Sequence, residues 1–412
     1  MGDFHDVLII GAGAAGLAAG RRLQAAKIPF LIVEARDRIG GRGWTRADRA
    51  AFPLDIGCEW LHSAEKNVWR EKAAALGFHV EQAPAPWRRQ SGQQGFSAED
   101  QAAFGEAFNA FEERIDQEAE KGEPLAASAF LEPGGRWNPL INGVFSFISG
   151  ATLEHIDARD YARYEDTGLN WRVREGYGAL IATYGADLPV QLETRVTEID
   201  HSGLRVRVFT NRGVLEARAV IIAVPTTILL TLALTPDLPH VREAAEGLPL
   251  GFAEKAFFAL NEAEEFPVDG HLFARTDSAA IGSYHLRSLG RPVIEAYYGA
   301  ELARGLAQAG EAAMIDFALE ELTALLGASI RTRVTPLTTS HWAADPYARG
   351  SYSYAKPGRA EERAVLAAPQ AGRLFFAGEA ASRARYSTAH GAYETGIAAA
   401  EHALAALAGQ QS

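Results

Sequence analysis

A glycine-rich turn set between two apolar runs constrains this chain more than any other feature. Val7-Leu8-Ile9-Ile10 carries no polar residue, as a strand buried on both faces reads. Gly11-Ala12-Gly13-Ala14-Ala15-Gly16 follows at once, Leu17 to Ala26 reads as a helix, and Phe30-Leu31-Ile32-Val33 reads as a second buried strand ending at Glu34. Gly11 permits a tight turn. Gly13, with Ala14 and Ala15, lets the backbone approach a pyrophosphate at the positive helix N-terminus, and Gly16 lets helix and strand pack closely. Glu34 lies 18 residues beyond Gly16, near the spacing at which a carboxylate accepts ribose hydroxyls, with Ala35 and Arg36 continuing that edge. Strand, glycines, helix, strand and acid within one unit predict an α/β fold that binds a dinucleotide.

At 412 residues the chain is long enough for two domains. Its formal net charge of −12 disfavours nucleic acid as a partner and favours cationic small molecules. The single cysteine, Cys58, excludes an internal disulfide and a multi-cysteine metal site, and suits a reducing compartment. Met1 to Asp6 holds neither a basic region nor an apolar signal core, so a cytoplasmic location is expected. The longest apolar stretch, Ala219 to Leu234, is interrupted by Pro225 and reads as strand, turn and helix rather than a membrane span. No metal-ligand motif is present.

Asp37-Arg38-Ile39-Gly40-Gly41-Arg42 places paired glycines and a phosphate-binding arginine after the second strand. With Gly11 to Gly16 and Glu34, it resembles the opening of the flavin-dependent amine oxidase family, which includes monoamine, polyamine and spermine oxidases, histone demethylases and L-amino-acid oxidases. The resemblance implies a Rossmann-like FAD-binding domain of the two-dinucleotide-binding-domain type (residues 1–75, 170–244 and 345–412). An α+β substrate domain would take residues 76–169 and 245–344.

Asp55 to His62 is similar to the stretch that passes beside the flavin ring in polyamine oxidases, which places Gly57, Cys58, Glu59 and Trp60 against the cofactor and His62 near the substrate amine. Ser97-Ala98-Glu99-Asp100 is a capping box. Behind it Phe104, Phe108, Phe111 and Ile115 recur at helical spacing, with Glu112, Glu113, Asp116 and Glu118 expected on a solvated face. Pro84 to Trp87 and Ser91 to Gly95 read as turns. Val190 to Ile199 matches the strand whose valine, here Val196, packs near the adenine. Lys255 interrupts an otherwise apolar strand. The resemblance gives it the task of holding a water against flavin N5, and the residue pattern alone also allows an edge-strand lysine facing solvent. Ile315, Leu319, Leu322 and Leu326 form the apolar stripe of a long helix.

The resemblance is fullest at the C-terminal end: Trp342, Asp345 to Tyr354, Phe375 to Ala380, and Thr388-Ala389-His390-Gly391-Ala392-Tyr393-Glu394-Thr395-Gly396 run in family order. It implies that Gly378, Glu379, Thr388 and Ala389 bind the flavin, Glu379 through ribityl or pyrophosphate-side hydroxyls. A helix after Gly396 is expected to offer its N-terminus to the flavin. Ser351 stands where monoamine oxidases tether the flavin through cysteine, so non-covalent FAD is expected. Tyr352 keeps one wall of the aromatic cage of those enzymes, and Thr388 replaces the other.

The reading is therefore oxidation of a polyamine or a primary or secondary monoamine to an imine. Oxygen is reduced to hydrogen peroxide, with Lys255, Tyr352, Thr388 and His62 at the reacting end. The partners are a small-molecule amine and oxygen, without nucleic acid or membrane, and the assembly is open to a homodimer. The rivals are an L-amino-acid oxidase, with Arg172, Arg174 or Arg287 against a substrate carboxylate, a flavin desaturase, and a non-catalytic flavin-binding protein.

Overall fold

The apolar run Val7–Ile10 lies in the middle of an eight-stranded sheet, with Val7, Leu8 and Ile9 fully buried. The structure, a computed structural model, describes residues 4–88, 90–92 and 95–409. Gln93 and Gln94 of one expected turn, and the first three residues, lie outside them. Across the sheet the order is Ala233–Thr235, Val196–Asp200, Val206–Thr210, Gly213–Ile222, Phe4–Ile10, Phe30–Val33 and Val190–Gln191, with Leu374–Phe376 also paired to Gly213–Ile222. Phe4–Ile10 runs parallel to both neighbours. A strand so placed shows no face to water, which is why its sequence does not alternate. Separate apolar layers cover the two faces.

The helix Ala14–Ala25 starts at Gly13. A Cβ on Gly16 would fall 1.9 Å from the Gly11 carbonyl oxygen, so the closeness of helix and turn depends on that glycine. The expected strand Val190 to Ile199 is two strands, Val190–Gln191 and Val196–Asp200, separated by a turn in which Glu193 takes a φ of 52°. The last helix spans Ala389–Gly409 and so begins seven residues before Gly396, not after it. Gly396 serves packing instead: a Cβ there would lie 2.1 Å from the Ala15 carbonyl oxygen of the first helix.

A second sheet is antiparallel throughout, in the order Gly270–Phe273, Gly282–Leu286, Val293–Gly299, Ala253–Leu260 and Val334–Thr339. Its rear face (Ala256, Phe258, Tyr284, Ile294, Ala296, Tyr298) packs against the helix Glu311–Leu326. On that helix the buried line is Met314, Ala318, Leu322 and Leu325. Ile315, Leu319 and Leu326 of the expected stripe sit at its flank. The front face carries polar residues in register. One row sets His271 beside His285 and His285 beside Glu295; the next sets Phe273 beside Ser283, Ser283 beside Tyr297 and Tyr297 beside Lys255.

The helix Ala98–Glu118 opens on the expected cap, Ser97 Oγ accepting from the Asp100 N–H at 3.1 Å. With Asn138–Ser149 it encloses a largely aromatic cluster that includes Phe273 of the second sheet and Ile281 just before the strand Gly282–Leu286. Among the described residues no helix is long and apolar enough to cross a membrane.

Candidate active site

One cavity of about 1220 Å³ is lined by residues of both sheets and of the inserted helix. That exceeds the few hundred Å³ a small amine needs, and suits a dinucleotide plus a substrate. Every residue expected to bind the cofactor or to stand at the reacting end lines it except Gly16, which packs beneath the turn.

At the dinucleotide end, Glu34 accepts the Ala12 N–H at 2.8 Å on one oxygen and the Arg36 N–H at 2.9 Å on the other. The carboxylate thus organises the glycine turn and still keeps lone pairs for hydroxyl donors. Arg36 does not reach into open space: it pairs bidentately with Asp345 at 2.5 and 2.7 Å. Gly41 and Val196 lie along the same wall.

Arg42 and Glu379 both line the cavity and are paired with each other. Arg42 Nη1 donates to the Ser351 carbonyl at 2.7 Å and to Glu379 at 2.8 Å. Glu379 also accepts the Ser353 hydroxyl at 2.6 Å and the Ser387 N–H at 2.9 Å. Burial raises the Glu379 carboxyl, but Arg42, Ser353 and Arg363 outweigh it and hold it below the usual range. Through these donors Glu379 joins several loops at the cavity wall. The chain of contacts continues through Ser353 to Arg363, whose guanidinium makes a fully buried pair with Asp160 at 2.6 and 2.8 Å. Midway along the cavity, Gly57 and Cys58 line the wall and Trp342 donates to the Ile56 carbonyl at 3.0 Å.

At the other end Lys255 sits on a strand paired on both sides, not at an edge. Its ammonium is buried and has three protein acceptors: the Asp55 carbonyl at 3.1 Å, Glu59 at 2.9 Å and Glu295 at 2.7 Å. An ammonium has three donors, so in this arrangement none is left to hold the water that the resemblance implies. Burial opposes its charge, but Glu295 and Glu59 reverse that and raise its proton affinity. Glu59, expected against the cofactor, is an ion-pair partner first. Burial raises its carboxyl, and Lys255, His285 and Arg172 outweigh that to leave it at about 2. The Glu59, His285 and Glu295 ligand atoms lie within 4.8 Å of one another, as a metal site would have them; the lysine ammonium already supplies the cation there.

Tyr352 donates to the Phe147 carbonyl and meets Tyr297 OH at 2.9 Å, which fixes its ring. Thr388 caps the last helix, its Oγ1 accepting the Gly391 N–H at 3.0 Å, and with Ala389 it brings that helix N-terminus to the cavity wall. His62 Nδ1 is held by Asn170 Oδ1 at 2.7 Å. Trp60 lies edge-on to Trp87 at 4.4 Å.

Two groups escape the sequence reading. Glu295, Tyr297, His285 and His271 line the cavity because three strands stack their polar positions in register, a relation that no single strand displays. In addition, Gln101, Phe104, Phe108, Glu112 and Asp116 form one stripe of the inserted helix along the cavity. Glu112 is half-buried on the cavity wall, whereas Asp116 is exposed as expected and borders the cavity from its solvated face. Glu113 and Glu118 are exposed as expected.

The family model for flavin-containing amine oxidoreductases matches residues 14–404. The chain belongs to that family. Polyamine oxidase 2 of Arabidopsis thaliana is 29% identical over 96% of this chain and 87% of its own. A putrescine oxidase solved with putrescine bound superposes with a TM-score of 0.78 at 20% identity, covering 98% of this chain and 99% of the other. Cyclohexylamine oxidase from Brevibacterium oxydans IH-35A superposes with a TM-score of 0.78 at 21% identity, covering 99% of this chain and all of the other. As a family member the protein is a flavin-dependent oxidoreductase acting on amines, with a mixed α/β fold and a small-molecule substrate.

Proposed function

We propose that the protein oxidises a di- or polyamine, with FAD held non-covalently and oxygen as the electron acceptor. The observation that carries the substrate class is the helical stripe. Phe104 and Phe108 offer apolar contact to an alkyl chain, and Glu112 and Asp116, one and two turns further on, with Asp166 also lining the cavity, offer negative charge to a second ammonium. The Tyr161 hydroxyl donates to Glu112 at 2.8 Å and orients it. The names of the polyamine and putrescine oxidases bear the same way, and their being oxidases supports oxygen as acceptor.

The residues fit FAD. Gly13 opens on the cavity with no atom nearer to a Cβ there than Gly41 Cα at 3.9 Å, which leaves room for a pyrophosphate beside the helix N-terminus. Glu34 suits the ribose, Val196 the adenine, and the N–H groups at Ala389 a developing negative charge. Non-covalent attachment is supported by Ser351, whose hydroxyl is tied to both the Ala253 N–H and carbonyl at 2.8 Å. Cys58, the other candidate for a tether, has its thiol pushed up to about 12 by burial first and Asp55 second, so it is not a thiolate.

Bound there, the flavin would supply the two-electron acceptor. The chain's own residues orient the amine and set its charge. Tyr352, locked by Tyr297 and Phe147, is a fixed wall for the carbon to be oxidised. His62, with Nδ1 engaged, has Nε2 for the substrate nitrogen. An amino-acid oxidase would need an arginine at this end, and the three considered are elsewhere. Arg172 is paired with Asp269 at 2.9 Å, Arg174 with Glu81 at 2.8 Å, and Arg287 with the Phe266 carbonyl at 3.0 Å. The test is kcat/KM for putrescine, spermidine, cyclohexylamine and L-leucine. Preference for the first two is expected, and preference for either of the others overturns the substrate class.

A further inference from the structure

A second pocket of about 20 Å³, room for about one water, lies behind the Lys255 ion pairs and is lined by Asp55, Arg172, Ser288 and Arg291, among others. Glu59 and Glu295 are the two residues that line both this pocket and the large cavity. Each side chain is 10% exposed, and Lys255 bridges them. The two carboxylates therefore stand in the wall between two solvent spaces and, among the described residues, are the groups that line both and can take up and release a proton.

We propose that Glu59 and Glu295 form a proton relay through the cavity wall, accepting the proton that a cationic amine must lose and passing it to water in the second pocket. The need for such a route rests on the amine reading above. An ammonium cannot give up a hydride from its α-carbon, and a substrate filling the cavity closes the way it entered. In the first step an N–H bond of the substrate breaks and an O–H bond forms on the carboxylate, giving neutral amine and carboxylic acid. In the second the O–H proton passes to the water and the carboxylate is restored. No electron moves in either step.

The charges suit this. With both carboxylates ionised the three-residue cluster carries one net negative charge, and one proton neutralises it. Burial first and the Glu59 carboxylate second push the Glu295 carboxyl up to about 8. The other charged or titratable groups facing the pair are Lys255 from the sheet of Glu295, His285 beside Glu295, Asp55 from the short strand Leu54–Asp55, Arg172 over the Trp60 ring, and Arg291. Above its midpoint the pair is free to accept, so deprotonation of the substrate speeds up as pH rises.

The test mixes FAD-loaded protein with putrescine anaerobically in weak buffer containing a pH indicator, following flavin bleaching and proton release together. In the wild type, bleaching should accelerate through about pH 8 with protons appearing in step. In Glu295→Gln and Glu59→Gln, each loaded with FAD, bleaching should slow by about a hundredfold and lose that inflection. Wild-type inflection and proton release in both variants would overturn the relay. Should the variants not fold, infrared spectroscopy of the wild type one unit either side of the midpoint decides. A carboxylic-acid carbonyl band that vanishes at the higher pH supports the relay, and its absence refutes it. If no diamine bleaches the wild type, the amine reading fails, and the infrared band still decides whether the proton is held.

Discussion

Lys255 and Glu295 stand on adjacent antiparallel strands two residues out of register, and their head groups meet at 2.7 Å. The diagonal is within reach of long side chains on one sheet face. It brings a buried ammonium to a carboxylate that the twin interaction with Glu59 would otherwise leave out. Lys255→Met removes the cation from between two buried carboxylates. Loss of one partner of a buried ion pair costs about 3–5 kcal/mol, and urea denaturation of the variant should show a loss of that order. A loss under about 1 kcal/mol would mean that the carboxylates are hydrated, as exposed pairs are.

The Asp160–Arg363 pair is fully buried and reaches Glu379 through Ser353. Arg363→Met should destabilise the fold by about 3–5 kcal/mol, because Asp160 is left buried without its partner. It should also weaken FAD binding, since Glu379 and Arg42 lose an anchor. Equilibrium dialysis of FAD against both proteins checks the second part, and equal affinities would limit Arg363 to a folding role.

Two buried histidines set an acid limit. Burial first, with His285 beside His271 and with His62 and Arg385 beside His390, lowers both from 6.5 to about 3. A base whose affinity for a proton is lower in the folded state destabilises that state as pH falls, because the unfolded chain takes up the proton first. Stability should therefore decline from about pH 6.5 downward, on the order of 1.4 kcal/mol per unit for each histidine. Ordinary carboxylates barely titrate between about pH 6.5 and 5, and the carboxyls that burial raises, Asp55 and Glu295, are common to both proteins, so the double variant His271→Asn, His390→Asn should have the shallower slope there. Equal slopes would refute the assignment.

Glu112→Gln with Asp116→Asn should raise KM for putrescine by about tenfold, the equivalent of about 1.4 kcal/mol, and leave cyclohexylamine unchanged. A loss shared by both amines would show that the stripe shapes the cavity without reading the second charge.

The flavin half of the fold was legible because its constraints are local. The Val7–Glu34 unit packs strand, turn and helix within one stretch, and Gly16 must be small for a reason visible in four neighbouring residues. The boundary of the last helix was not, since Gly391 and Gly396 read as a loop until the packing on Ala15 is seen. Lys255 stood out as a charge among apolar neighbours. Its partners Glu59 and Glu295 come from 196 residues before it and 40 after it, and only the sheet register joins them. Glu112 and Asp116 looked like ordinary surface acids because a helical pattern tells which residues share a face, not what that face meets.

The most direct measurement is the visible spectrum of the purified protein under anaerobic conditions, before and after putrescine, and again on admitting air. The flavin band should bleach with the diamine and return in air with one hydrogen peroxide per turnover. A flavin-loaded protein that no amine bleaches would contradict the proposed function.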